Sequence, residues 1–207
     1  MGDTRTMHWD QVYNTRAADD VSWYQQRPQI VLDWISQLQL GPDEAILDVG
    51  AGASTLVDHL LAMGYGQLSL LDISAAALEI SRQRLGAQAA QVEWLVSDVT
   101  HFRPKRHYTL WHDRAVFHFL TEAADRQHYR TVLKQALRPS GYVIMATFAI
   151  DGPQQCSQLP VRRYDIETLQ HELGQEFTLM ATTDELHCTP SGKEQHFLYG
   201  LFQWNNF

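Results

Sequence analysis

Four acidic residues stand where short apolar runs of the chain end: Asp48, Asp72, Asp98 and Asp113. A run in which nearly every residue is apolar, with no alternation of apolar and polar residues, is typical of a strand buried on both faces of a parallel sheet. A carboxylate at the end of such a strand can accept hydrogen bonds from the ribose hydroxyls of an adenine nucleotide. A single aspartate would only indicate a helix cap or a turn. Four of them in a repeating strand-helix order predict one shared binding crevice.

The turn after the first run supports this prediction. Gly50-Ala51-Gly52 follows Asp48-Val49 directly and precedes a segment of helical character. Glycines let the backbone approach a ligand without a Cβ clash, and the N-terminus of a helix favours negative charge. Because two glycines are common in tight strand-to-helix turns, the turn is informative only together with the acids around it.

Hydrophobic periodicity and turn residues predict the elements that position these groups. The predicted strands are 45–49, 67–71, 91–96, 108–112, 142–149, 177–186 and 195–203, and the predicted helices are 28–40, 54–63, 75–85, 122–138 and 165–173. The segment 151–163 is predicted to be a loop, since it opens with the turn residues Asp151-Gly152-Pro153.

Composition limits the function. A chain of 207 residues suits one α/β domain, predicted here as 1–207. A net charge of −8 without a Lys/Arg cluster predicts no nucleic-acid partner. No stretch approaches the ~20 apolar residues that span a bilayer, and no signal sequence opens the chain, so no membrane partner is expected. Two cysteines without a CxxC pair favour a cytoplasmic location, and ten scattered histidines predict no metal site.

Over most of its length the chain resembles the class I S-adenosylmethionine-dependent methyltransferases. The segments that carry the resemblance are 47–52, 71–74, 97–99, 112–114 and 137–142. The resemblance implies an α/β fold with a Rossmann-like, doubly wound sheet of seven strands. This sheet would be mostly parallel, with an antiparallel C-terminal hairpin and helices on both faces. The alternative, an NAD(P)-dependent oxidoreductase, is disfavoured because Thr55 stands where its fingerprint requires a third glycine or alanine.

The resemblance also implies S-adenosylmethionine as cofactor and suggests its contacts. The backbone of Gly50 to Gly52 would face the methionine part, Asp72 would hold the ribose hydroxyls, and Asp98 with Val99 would flank the adenine. The complete set of implied cofactor contacts is Asp48, Gly50, Ala51, Gly52, Asp72, Ile73, Asp98, Val99, Asp113, Trp9 and Tyr13. Methyl transfer depends mostly on positioning, so a competent site needs no obvious catalytic residue.

Acceptor chemistry is expected after the fourth strand. His112-Asp113-Arg114 is similar to the corresponding segment of thiopurine-type and other small-molecule methyltransferases, and of some protein-lysine methyltransferases. Asp113 is predicted to orient an acceptor amine or to bind the donor's amino group. His118 is predicted to be a general base, because histidine titrates near neutral pH. The alternative is that His118 is a packed histidine between two phenylalanines, and His112 is predicted to be structural.

Two further segments are predicted to shape the acceptor site. The aromatic arm, residues 1–27, resembles the start of thiopurine-type enzymes and elongation-factor lysine methyltransferases, which implies a lid over the donor; a packed amphipathic helix is the alternative. In the loop after the fifth strand, the arginine pair would recognise a carboxylate or phosphate, or would be a solvated pair before a helix. The predicted substrate contacts are Trp23, His118, Arg162, Arg163 and Tyr164.

These observations predict a cytoplasmic methyltransferase that transfers a methyl group to a small-molecule acceptor by in-line displacement. A protein lysine is the alternative acceptor within the same chemistry. A protein that binds the donor without catalysis is a further alternative that the sequence leaves open.

Overall fold

The computed structural model describes residues 4–205, so the first three and last two residues of the predicted domain lie outside the described residues. The helices are α1 (Thr4–Thr15), α2 (Gln29–Gln37), α3 (Leu56–Ala62), α4 (Ala75–Leu85), α5 (Ala123–Ala136) and α6 (Ile166–Leu173). The strands are β1 (Ile46–Val49), β2 (Leu68–Asp72), β3 (Val92–Val96), β4 (Tyr108–Arg114), β5 (Leu137–Phe148), β6 (Gln155–Cys156), β7 (Leu159–Pro160), β8 (Phe177–Cys188) and β9 (Glu194–Trp204).

Seven of these strands form one sheet in the order β3-β2-β1-β4-β5-β9-β8. Strands β1 to β5 are parallel, and β9 lies antiparallel between β5 and β8. The strand order reverses between β1 and β4, which is where open α/β sheets bind their ligands. The predicted fold class, including the antiparallel C-terminal hairpin, is confirmed.

Each face of the sheet carries its own core. On one face, α2, α3 and α4 bury residues such as Ile35, Leu56 and Leu78 against the strands. On the other face, α5 and α6 bury residues such as Leu133 and Leu169. Burial on both faces explains why β1 and β2 are apolar throughout rather than alternating.

The largest differences from the predicted elements lie around β5 and after it. Helix α5 ends at Ala136 and β5 begins at once, because Leu137 already pairs with Tyr108 before the register shifts. The predicted loop 151–163 contains the short hairpin β6–β7. Its turn residues Ser157 and Gln158 have φ of 49° and 66°, as a two-residue hairpin turn of type I′ requires.

Within residues 4–205, no helix is both long enough and apolar enough to cross a membrane. Cys156 and Cys188 are both free thiols, the first buried and the second exposed.

Candidate active site

The turn after β1 forms the floor of the site. Gly50 and Gly52 have φ of +63° and +50°, in the left-handed region that favours glycine. A Cβ on Gly50 would lie 1.9 Å from Cγ2 of Val116, and a Cβ on Gly52 would lie 2.4 Å from the hydroxyl of Tyr13. The turn therefore packs tightly against the segment after β4 and against the arm.

Asp72 ends β2 directly beside this turn. Its Oδ2 accepts a hydrogen bond from the Gly52 N–H at 2.8 Å, and its Oδ1 accepts one from the Ser74 N–H at 2.8 Å. Burial raises the pKa of Asp72 to about 6, although these backbone donors oppose the shift. Both oxygens keep further lone pairs for a ligand, and Asp72 with Ile73 lines a cavity of about 100 Å³, called here the first cavity.

The end of β3 lines the same cavity. Asp98 Oδ1 accepts hydrogen bonds from the backbone N–H and the hydroxyl of Thr100, at 2.8 and 2.7 Å. This turn fixes the carboxylate and aligns Ser97, Asp98 and Val99 along the cavity wall. The structure therefore brings together the predicted ribose and adenine contacts.

Aromatic residues of the arm close the first cavity. Trp9, Tyr13 and Trp23 line it, and the Trp9 ring lies edge-on to the rings of Trp23 and Phe119, with centroids 5.7 and 5.1 Å apart. Polar contacts hold α1 in place: the Ser74 hydroxyl donates to Asp10 at 2.6 Å, and Arg5 pairs with Asp125 at 3.1 Å.

A second cavity of about 50 Å³ lies on the other side of the β1 turn and is lined by Asp48, Gly50, Ala51 and His112, among others. Asp48 and His112 are each 4 % exposed, and Asp48 Oδ1 lies 2.6 Å from His112 Nδ1. Asp48 Oδ2 and His112 Nε2 have no hydrogen-bond partner. His112, predicted to be structural, is therefore one of the residues that line this cavity.

Asp113 does not reach either cavity, which contradicts its predicted contact with donor or acceptor. Its side chain is fully buried on the opposite face of the sheet, where Oδ1 accepts from the Val116 and Phe117 N–H groups and Oδ2 accepts from the Tyr129 hydroxyl at 2.6 Å. Burial raises its pKa to about 6. Asp113 therefore shapes the segment after β4, and any effect on the chemistry is through that segment.

Replacing Tyr129 with phenylalanine tests this role. The Tyr129 hydroxyl also accepts a hydrogen bond from Trp111 Nε1 at 2.8 Å, so Tyr129→Phe leaves a buried donor and a buried carboxylate oxygen without that partner. We expect urea denaturation to show a loss of about 1–3 kcal/mol in the free energy of unfolding. Tyr142→Phe, at a half-buried tyrosine on β5, is the control, and an equally small change in both variants would contradict the role.

His118 is fully buried and lines neither cavity, which contradicts its prediction as an acceptor-facing base. Its Nδ1 accepts a hydrogen bond from the Phe148 N–H at 3.3 Å, and its ring packs on Phe119 and Phe148. Burial lowers its pKa to about 3, and the nearby Arg114 charge acts in the same direction. The environment of His118 is that of the alternative prediction, a histidine packed among phenylalanines.

This burial predicts an acid-sensitive fold. A histidine with a pKa of about 3 in the folded state and an ordinary value near 6.5 when unfolded stabilises the fold above pH 6.5, and that contribution is lost as the pH falls. His118→Asn keeps an acceptor for Phe148 and cannot titrate. We expect the stability difference between pH 7.5 and pH 5 to shrink by about 2 kcal/mol in this variant, measured by urea denaturation. An unchanged difference would show that His118 titrates normally.

The three predicted substrate residues after β7 also lie away from the cavities. Arg162 pairs with Glu172 on α6 at 2.9 Å, and Arg163 donates to the Gly152 carbonyl at 3.2 Å. Tyr164 is fully buried and forms a bridge with Ala149. These contacts attach the segment to α6 and to the end of β5, and the structure does not bring these residues together with the two cavities.

Sequence reasoning missed several residues that do line the first cavity. They are Arg114, Val116, Phe119 and Cys156. Arg114 follows Asp113 directly, and the alternation of a strand sends neighbouring side chains to opposite faces. That rule, applied to the predicted strand, would have selected Arg114 together with His112. No comparable signal was available for Cys156, which reaches the cavity through the β6–β7 hairpin.

A family model described as a methyltransferase domain matches residues 46–141. The matched segment covers just under half of the chain. The matched residues run from β1 into β5 and contain the glycine turn and all four strand-end acids. The match supports the predicted class of enzyme over the oxidoreductase alternative.

A curated protein is similar in sequence to part of this chain. EEF1A lysine methyltransferase 2 of Danio rerio is 27% identical over an alignment of 127 residues, and the match covers 56% of this chain and 53% of that protein. The match spans about half the length of the curated relatives.

Solved structures match the fold over nearly the whole chain. An S-adenosylmethionine-dependent methyltransferase of Anabaena variabilis has a TM-score of 0.75 at 14% identity and covers 99% of this chain and 95% of its own. The 1,6-didemethyltoxoflavin-N1-methyltransferase of Burkholderia thailandensis, with its acceptor and S-adenosylhomocysteine bound, has a TM-score of 0.69 at 18% identity, covering 98% and 85%. The fold predicted from the sequence, that of the S-adenosylmethionine-dependent methyltransferases, is confirmed.

Proposed function

We propose that this methyltransferase transfers the methyl group of S-adenosylmethionine to a small-molecule acceptor. The observation that carries the proposal is the first cavity, whose lining combines a strand-end carboxylate with the aromatic side chains of the arm. When bound, the donor supplies an electrophilic methyl group on a sulfonium sulfur, and an acceptor nucleophile displaces it in line.

The residues present fit this donor. Gly50 lines both cavities, Asp72 offers free lone pairs beside it, and the unpartnered Oδ2 of Asp48 suits an ammonium group. We therefore propose that Asp72 holds the ribose, that Asp98 and Val99 hold the adenine, and that Asp48 faces the amino-acid part. Trp9 and Tyr13 would cover the donor, and aromatic rings attract a cation such as the sulfonium.

The acceptor half of the first cavity is formed by Trp9, Trp23, Val116, Phe119 and Leu120. These side chains carry no group that titrates near neutral pH. Of the other lining groups on that side, burial raises the pKa of Cys156 to about 12. We propose that the site works by positioning and water exclusion, and that the acceptor reaches it with its nucleophilic atom already unprotonated.

The lid predicted from the sequence is part of the proposal. The first cavity measures about 100 Å³, far below the roughly 300–1,000 Å³ of a small-molecule site. For a donor and an acceptor to enter, the aromatic arm has to move. We propose that α1 opens and closes over the bound donor.

A protein lysine is the second candidate acceptor. The relative named as a lysine methyltransferase supports it, and the acidic chain would attract a basic protein segment. The small volume of the first cavity, about 100 Å³, favours the small molecule instead. We further propose that the chain works as one domain in the cytoplasm, consistent with its free cysteines.

Calorimetric titration with S-adenosylhomocysteine and with NAD tests the donor. We expect binding of the first and none of the second, and the reverse would overturn the proposal. Radiolabelled methyl transfer into a metabolite panel and into a cell lysate then tests the acceptor. Label in a small molecule would support the proposal, whereas label in a protein band alone would favour the lysine alternative.

A further inference from the structure

Arg114 lies at the junction of the two cavities. It is the last residue of β4, it lines both cavities together with Trp23, Val49 and Gly50, and its side chain is only 9 % exposed. Among the described residues that line the cavities, it is the cation common to both. A buried guanidinium in this place needs partners for all of its N–H groups.

Neighbouring residues fix the orientation of the Arg114 guanidinium. Its Nε–H donates to the Tyr199 hydroxyl at 2.8 Å, and its Nη1 donates to the Trp23 carbonyl at 2.8 Å. The ring of Phe197 lies under it, 4.3 Å from Cζ to the ring centroid. The group is thus held rigidly before any ligand binds.

The remaining nitrogen, Nη2, has no hydrogen-bond partner although it is buried. The nearest carboxylate oxygen is Glu185 Oε2 at 3.6 Å, beyond hydrogen-bonding distance. Glu185 is already engaged, since its Oε1 accepts from Gln25 at 2.7 Å and its Oε2 accepts from the Tyr199 hydroxyl at 2.6 Å. The protein therefore leaves one charged donor unused at the junction.

We propose that Arg114 binds a carboxylate group of a ligand through Nη2. A guanidinium N–H pairs best with a carboxylate, and the hydrogen bond is strengthened by charge and by burial. The inference rests on the proposed function, which puts ligands in both cavities. The carboxylate belongs either to the amino-acid part of the donor or to an acidic acceptor, and the chemistry at Arg114 is the same in both cases.

Paired ligands that differ in one carboxylate-bearing part test the proposal by calorimetry. For the donor, S-adenosylhomocysteine is compared with 5′-methylthioadenosine, which lacks the amino-acid part. For the acceptor, benzoate is compared with benzamide, each titrated into the complex with S-adenosylhomocysteine. The variants are Arg114→Met, which removes the charge at similar length, and Arg114→Lys, which retains the charge without the planar group. Glu185→Gln removes a charge from the same network and is the matched control.

We expect Arg114→Met to weaken the carboxylate-bearing member of one pair by about 10-fold or more and to leave its partner nearly unchanged. Arg114→Lys should retain part of the preference, and Glu185→Gln should retain or increase it, because the carboxylate meets less repulsion. An effect on S-adenosylhomocysteine alone supports the proposal with the donor as the source. An effect on benzoate alone supports it with the acceptor as the source.

If Arg114→Met changes the affinities of the two ligands of each pair by the same factor, the inference is overturned. If Arg114→Met does not fold, Arg114→Lys decides, since loss of the planar group should weaken the carboxylate-bearing member of one pair more than its partner, and an equal effect on both members of each pair would overturn the inference. Failure of the wild-type protein to bind S-adenosylhomocysteine would instead overturn the proposed function.

Discussion

Deletion of residues 1–16 is expected to lower turnover by roughly 100-fold or more, because transfer depends on the alignment of donor and acceptor in a dry cavity. The deletion removes α1 with Trp9 and Tyr13 and opens the first cavity to water. The sheet should still fold, since β1 begins at Ile46 and the two main cores exclude α1. The measurement is turnover of the acceptor found in the radiolabel screen, with urea denaturation to verify folding.

Two point variants on α1, one at a ring that lines the cavity and one at an exposed residue, separate the role of the arm from a general effect of mutating this helix. Trp9→Ala removes a ring that contacts Trp23 and Phe119 and should reproduce part of the loss. Met7→Ala changes a residue of the same helix that is 64 % exposed and should leave turnover as it is. Full activity of the truncated enzyme would show that the arm only packs against the sheet.

Asp72→Ala should weaken the binding of S-adenosylhomocysteine by about 1.5–3 kcal/mol, the usual value of hydrogen bonds to a charged group. The variant also leaves the Gly52 and Ser74 N–H groups without their carboxylate partner, so some loss of stability is expected as well. The contact with the ribose is isolated by a 2′,3′-dideoxy analogue, which should bind equally to both proteins. Asp33→Asn, at an exposed position on α2, controls for the change in net charge.

The pKa of about 6 for Asp72 adds a pH dependence. The ionised carboxylate is the better acceptor for ribose hydroxyls, so donor affinity should rise with pH through about 6 and level off above it. Asp72→Ala should abolish this rise. Unaltered affinity in the variant, or an unaltered pH profile, would remove Asp72 from the donor site.

The fold could be predicted because its signals are local. Apolar runs, glycine turns and acids at strand ends each depend on a few consecutive residues, and the alternation of strands and helices determines the rest of the topology. The boundary at Leu137 was missed because it depends on pairing with Tyr108, a distant contact.

The site was predicted less completely, for a related reason. Asp48 pairs with His112 in the sheet register and Val49 pairs with Asp113, so Asp113 points away from the cavity side chains of its neighbours. Asp113 was predicted to contact the ligands, whereas its neighbour Arg114 is the residue that lines the cavities. The partner of Arg162 is Glu172 on α6, and a packed ion pair of this kind has the same local sequence as a ligand-binding arginine.

The central claim is that the adenosyl part of the donor lies in the first cavity between Asp72 and the aromatic arm. A crystal structure of the chain with S-adenosylhomocysteine tests it directly. The account predicts ribose hydroxyls within hydrogen-bonding distance of Asp72, the adenine beside Asp98 and Val99, and Trp9 and Tyr13 over the ligand. Ligand density outside this cavity, or a ribose that makes no contact with Asp72, would contradict it.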